Sequence, residues 1–334
     1  MVIYDVFGNI TTRTWTAFGV SYETRFAYDA ANRLIQMRYP DGRVLNYQRD
    51  LLGRVVKLSQ DKNGKLTELL SDRQYRANGQ VQSQRFGNQV EEDRQYDVQG
   101  RLLTQQIDDT QRQYQYDANG NVLAILDPQQ NVSYAYDAMD RLVSDTQDTT
   151  HELTQINFLY DANSNRLQKT NDEQTLAYDY VANSNRLTLA NNRAVVLDEQ
   201  GNTLSDQDGK RRFEYNHANR LVRFYRKDRL RASYVYNAFG QRISKTLHHR
   251  EDKHHDDHEA HGKHDKRPHQ TIIYHYDLNG QLIAETKPEG DLIKAYVWVD
   301  ATPLAQISGH ANKGIGHAKG KHKRDDKKGE REYG

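Results

Sequence analysis

The chain has no cysteine among its 334 residues. That excludes a disulfide framework, a thiol nucleophile and any thiolate metal site. It also lacks an excess of either charge: Lys+Arg number 47 against 46 Asp+Glu, a formal net charge of +1. A basic surface averaged over the whole chain is thereby excluded, and nucleic acid is not an expected partner. Apolar residues are scarce at 36%, where globular chains sit nearer ~45–50% with glycine included. Low hydrophobicity signals disorder only together with high net charge, which is missing here. No stretch approaches the ~20 apolar residues of a membrane span. The opening residues Met1-Val2-Ile3-Tyr4-Asp5-Val6-Phe7-Gly8 carry no basic region followed by an apolar one. A Sec-type signal is therefore not expected. What the chain has in excess is tyrosine, 22 residues against 8 Phe and 2 Trp. Tyrosine favours strands and buries a large ring while its hydroxyl stays in water.

The tyrosines are periodic. A motif Tyr-Asp-x-x-Gly/Asn-Arg/Asn-Leu/Val starts at Tyr4, Tyr28, Tyr75, Tyr96, Tyr116, Tyr136, Tyr160, Tyr180, Tyr215, Tyr236 and Tyr276. A variant runs from Asp50 to Val55, and a degenerate copy from Asp198 to Leu204. Most starts lie about 17–26 residues apart, the period of repeat architectures. Within one period, Gln113-Tyr114-Gln115-Tyr116 alternates polar and aromatic residues, Asp117–Gly120 is a turn, and Val122–Leu126 is a strand. Asp127–Gln130 is a second turn, and Val132–Tyr136 opens the next strand. One repeat is thus two short strands and two turns. The motif Asp suits the first turn position, where its carboxylate accepts backbone N–H bonds. The later Gly or Asn tolerates positive φ. A dozen such units predict an all-β antiparallel meander of about two dozen strands, which must curl rather than lie flat. Neighbour-to-neighbour pairing would stabilise it. A wall one sheet thick needs little dry core, which fits the low apolar fraction.

On these residues the chain resembles the YD repeats of Rhs proteins, of the B and C components of insecticidal Tc toxins, and of teneurins. The resemblance covers 1–247 and 270–307, and Tyr296–Ile307 is similar to the stretch near the end of the bacterial Rhs core. It implies a hollow β-shell of spiralling hairpins that encloses a cargo, commonly a C-terminal toxin, with no catalysis of its own. The implied partner is the remaining Rhs polypeptide or its toxin cargo. The implied setting is a bacterial polymorphic toxin system, with secretion or delivery from the cytoplasm by a dedicated machine. The self-cleavage motif of such cores is not found, so an incomplete shell segment is expected. A second reading is a surface or wall-associated module whose Tyr, Arg and Asn residues bind glycans.

Two segments interrupt the pattern. Residues 248–269 hold eight of the 14 His, and 308–334 are rich in Lys and His. Both are expected to be disordered, since neither can bury apolar area. In the first, His254, His258 and His261 have i, i+4 and i, i+3 spacing. They would present three imidazoles on one face if the segment turned helical, a candidate site for Zn or Ni. Adventitious binding is the plainer account, and no cofactor is expected. The basic segment offers at most a polyanion contact. Carboxylate clusters at Glu91-Glu92-Asp93, Asp108-Asp109 and Asp256-Asp257 read as solvent-facing turn residues rather than acid–base pairs. No nucleophile elbow, dinucleotide fingerprint or P-loop occurs. The motif arginines Arg33, Arg101, Arg141 and Arg220 are expected to lie along a neighbouring Tyr and pair with an Asp.

Removing 248–269 restores the family spacing between Tyr236 and Tyr276. The deletion is expected to leave thermal stability unchanged or slightly raised, because a shorter loop has a lower closure entropy. It should also abolish weak, pH-dependent Ni or Zn binding, read by calorimetry. A deletion variant that fails to fold would make the insert structural.

Overall fold

The computed structural model describes residues 1–171, 174–248 and 270–309. The His-rich and basic segments, apart from His248, Ser308 and Gly309, lie outside the described residues. Among those described there is no helix, and 29 strands follow one another, β1 to β29 in chain order. Within the expected period, β11 (Thr110–Tyr116), β12 (Val122–Leu126) and β13 (Gln130–Tyr136) fall where the alternation put them.

Each strand pairs antiparallel with its successor, from β1 (Val2–Tyr4) through β19 (Arg193–Ala194) and from β20 (Val196–Leu197) through β29 (Thr302–Ser308). This gives a 19-stranded and a 10-stranded sheet, neither of them closed. The interruption falls at Val195, between two strands of two residues each.

The motif dictates the turn. In Asp137–Arg141, the Asp137 N–H donates to the Arg141 carbonyl and the Asp140 N–H to the Asp137 carbonyl, both at 3.0 Å. The Asp137 carboxylate accepts the N–H groups of Met139 and Arg141 at 2.9 and 3.0 Å. The turn's fourth residue must take positive φ. Glycine takes it at Gly120 (φ 94), and Asn32 (φ 59) and Asp140 (φ 58) are among its substitutes.

Each motif turn also shifts the register by one residue. Tyr136 pairs with Leu142, while Ala135 pairs with Ser144, so Val143 has no partner of its own. The same bulge follows Tyr28, Tyr116, Tyr160, Tyr215 and Tyr276. A bulge increases local twist and bends its strand. Repeated at every motif turn, it curls the ribbon in one sense.

That curl brings the two ends of the chain together, and here the molecule departs from a wall one sheet thick. Phe26, Met37, Tyr39, Leu45, Tyr47, Val55, Leu58 and Leu70 lie in or beside β3 to β7 (β3 Val20–Tyr28, β4 Leu34–Arg38, β5 Val44–Arg49, β6 Val55–Lys62, β7 Lys65–Tyr75). They form one apolar cluster with Ile283, Ala295, Val297 and Val299 of β27 (Leu282–Thr286) and β28 (Leu292–Val299). The Tyr39 hydroxyl donates to the Tyr296 carbonyl at 2.8 Å across this seam. The meander is therefore apolar where its ends face each other and polar along most of its middle.

Leu58 is fully buried in the seam, whereas Leu123, on a bulge, is 38% exposed. Leu58→Ala is expected to cost about 2–5 kcal/mol in chemical denaturation. Leu123→Ala should stay within about 0.5 kcal/mol of wild type.

Candidate functional site

The repeated site is a staple between successive hairpins. Its first part is a tyrosine hydroxyl. Tyr28 donates to the Ile10 carbonyl at 3.0 Å, Tyr75 to Val55 at 2.7 Å and Tyr96 to Val81 at 2.8 Å. Tyr116 reaches Leu102 at 2.8 Å, Tyr136 reaches Val122 at 2.9 Å and Tyr160 reaches Leu142 at 2.9 Å. Tyr180 and Tyr276 do the same to Arg166 and Arg242. In every case the acceptor stands six positions after the preceding motif's first residue, at its bulge. Burial pushes the hydroxyls of Tyr28, Tyr75, Tyr116, Tyr136, Tyr180 and Tyr276 above the ordinary value, which keeps them protonated donors.

The second part is the motif arginine, whose guanidinium pairs with its own turn's Asp. Arg33–Asp29, Arg54–Asp50 and Arg141–Asp137 stand at 2.7 Å, and Arg101–Asp97 at 2.6 Å. The same guanidinium lies over the next repeat's tyrosine: Arg54 over Tyr75 at 4.6 Å, Arg101 over Tyr116 at 4.7 Å, Arg141 over Tyr160 at 4.9 Å. Arg141 also donates to the Asp161 carbonyl at 2.8 Å. Where the motif has Asn instead, as at Asn121, Asn165 and Asn202, the amide bonds the Asp carboxylate at 2.8–2.9 Å. That amide bond is the main reason Asp117, Asp161 and Asp198 sit below the usual carboxylate pKa. Both carboxylate oxygens of these aspartates are committed to their own turn, which leaves none of the three free as a general base.

Arg33, Arg101 and Arg141 thus pair as the sequence implied. Arg220 differs: Asn216 stands at the Asp position, keeps the turn by accepting the Arg220 backbone N–H at 3.0 Å, and gives the guanidinium no carboxylate to pair with. Two substitutions were not legible. Arg49 stands where a tyrosine is expected and donates to the Leu34 carbonyl at 3.1 Å. Trp298 donates its indole N–H to the Leu282 carbonyl at 2.8 Å. The copies at Tyr160 and Tyr180 look alike in sequence but close differently. Asp161 bonds to Asn165, whereas Val181 occupies the Asp position of the next copy and its N–H reaches Arg186. In the degenerate copy Leu197 replaces the tyrosine and has no hydroxyl to give. The sheet breaks at that repeat.

Of the carboxylate clusters, Glu92 is buried and held by Arg94, Gln84 and Gln105. Asp256-Asp257 and the metal candidates His254, His258 and His261 lie outside the described residues. Among the described residues no group of three or more His, Asp or Glu side chains is placed to hold a metal. Having no helix, these residues contain none long and apolar enough to cross a membrane. A charged cleft of about 570 Å³ does open at the seam, between Asp41, Arg43 and Lys62 on one side and Lys287 and Asp291 on the other. Arg43 and Lys62 both pair with the buried Asp41, at 3.0 and 3.1 Å.

The teneurin YD-shell family model matches residues 67–150 and 125–305, and the RHS repeat model matches 4–44 and 28–66. The chain belongs to the YD-repeat shell family. Similar solved structures include the TcdB2-TccC3-Cdc42 complex, with TM-score 0.65 and 15% identity over 91% of this chain and 20% of that one. TcdB2-TccC3 without its hypervariable C-terminal region gives TM-score 0.66 and 15% identity over the same shares, 91% and 20%. A mutant Tc holotoxin pore from Photorhabdus luminescens gives 0.63 and 15% over 86% and 18%. The chain spans about a fifth of the length of those structures, and at this identity the likeness is one of fold. No curated protein matches the chain in sequence.

Tyr136→Phe removes one staple hydroxyl and should cost about 0.5–1.5 kcal/mol of unfolding free energy. Tyr134, on the same strand, has no hydroxyl partner among the described residues. Tyr134→Phe should therefore be close to neutral in the same denaturation series, and equal costs would show that the ladder bond contributes nothing.

Proposed function

We propose that this chain is a non-catalytic segment of a YD-repeat shell in a bacterial toxin system. It forms part of a wall that encloses a polypeptide cargo. The observation that carries this reading is the ladder itself: the motif side chains are directed at neighbouring hairpins, so the repeated chemistry builds a wall. The fold likeness to TcdB2-TccC3 supports it. The turn aspartates, which carry the motif, have their oxygens occupied by backbone and side-chain donors. The glycan reading asks the same arginines and tyrosines to face a ligand. They face one another instead, as in Arg101 over Tyr116.

The test is limited proteolysis and electron microscopy of the native polypeptide that contains this segment. The expected result is a closed shell with internal density, and cargo peptides cleaved only after the shell is denatured. An open ribbon that binds immobilised glycans would overturn the proposal in favour of a surface module.

A further inference from the structure

The seam between the chain's two ends contains one side chain that the staple does not use. His275 lies on β26 (Gln270–Tyr276), is 1% exposed, and sits 4.5 Å from the Tyr22 ring and 5.5 Å from the Trp15 ring, centroid to centroid. Trp15 belongs to β2 (Ile10–Ala17) and Tyr22 to β3, more than 250 residues earlier. The His275 Nε2 meets the Thr286 hydroxyl at 2.9 Å, and its Nδ1 is buried without a partner. We propose that this seam is an acid-released latch: protonation of His275 separates β2–β3 from β26–β27, and the ribbon opens about the joint at Val195, where the strand ladder is interrupted.

The charges around the ring favour its neutral form. From β2, Arg13 lies close enough for its cation to oppose protonation, and its guanidinium donates to the Asp277 carbonyl at 3.2 Å. From the turn after β4, Asp41 favours protonation, but Arg43 and Lys62 already neutralise it. From β3 the facing group is the Tyr22 ring, and from β27 the Thr286 hydroxyl. Burial is the largest cause, ahead of Arg13, and the imidazole is held down from 6.5 to about 4. A base whose folded pKa is lowered stabilises the closed form above its unfolded pKa. That stability is lost as pH falls from about 6.5 towards 4. Asp277, on the same strand's outgoing turn, pulls the other way, because burial pushes its carboxyl up. The joint is the natural hinge, since the strand ladder is interrupted there and the flanking strands have two residues each, leaving Arg186 to reach the Asp198 carbonyl across it. The latch does not depend on what the shell encloses.

Hydrogen exchange on the full chain, corrected for intrinsic rates, tests it. From pH 7.5 to pH 5 the opening constant of β2–β3 and β26–β27 should rise about 30-fold in the wild type, as expected for one proton taken up between those pKa values. The middle strands β11–β13 should not follow. His275→Gln keeps a polar partner for Thr286 and cannot be charged, so its seam should be flat with pH. Asp277→Asn should show at least the wild-type rise, since Asn216 and Asn237 already hold the same turn in sibling repeats. A flat wild-type seam, a rise retained in His275→Gln, or an equal rise in β11–β13 would overturn the latch. Should His275→Gln not fold, the wild-type slope decides: about 7-fold between pH 6 and pH 5 is required.

Discussion

The hydrogen bond from a tyrosine hydroxyl to the carbonyl at the preceding bulge is the contact on which this molecule depends. Beside it, only the bulge and the motif arginine hold the hairpins of such a meander at a fixed angle. Ladder bonds within a sheet fix the spacing of strands but leave the ribbon free to flatten or splay. The bulge removes one residue from pairing, and the tyrosine of the next repeat bonds to the carbonyl of the residue just before it. Turn, bulge and staple therefore form one unit: the aspartate shapes the turn, the turn forces the bulge, and the bulge presents the acceptor. Buried acceptors of this kind are costly when left unmet. That explains why arginine at 49 and tryptophan at 298, both able to donate, are found where tyrosine is missing.

Much of this was legible in the sequence. The alternation around Tyr116 and Tyr136 located the strands because period-two patterning is local. The Asp and Gly of the motif located the turns because their chemistry is local too. That Arg141 pairs with an aspartate was expected from the motif; that the partner is Asp137 of its own turn comes from the structure. The seam was not legible. Leu45, Leu58, Ile283 and Val297 read as ordinary strand residues, and nothing near them in the chain says that they meet. Their contact depends on curl summed over two dozen strands, a quantity no short window of residues contains. Nor was Arg49 readable as a tyrosine substitute, because the equivalence lies in where its donor reaches.

The seam also explains how a chain so poor in apolar residues keeps a core. Its large buried side chains gather in the first seven strands and in β26 to β28, with Glu92 buried apart from them. Apart from Val81, Glu92, Ala232 and Ser244, the strands between present intermediate or exposed side chains and rely on pairing and staples. Stability is thus uneven along the ribbon. The middle behaves as a stack of near-equal units, while the ends share one cooperative cluster.

That closure sets the allowed length of the ribbon. Each hairpin advances it by two strand spacings, about 10 Å, roughly the width of the patch formed by Leu45, Leu58 and Leu70. Duplicating a hairpin in the middle would satisfy every local rule of turn, bulge and staple. It would also carry Ile283 and Val297 a full hairpin past their partners. The number of repeats between the two clasped ends is therefore quantised, and lineages of this chain can change loops at the rim far more readily than they can change the count.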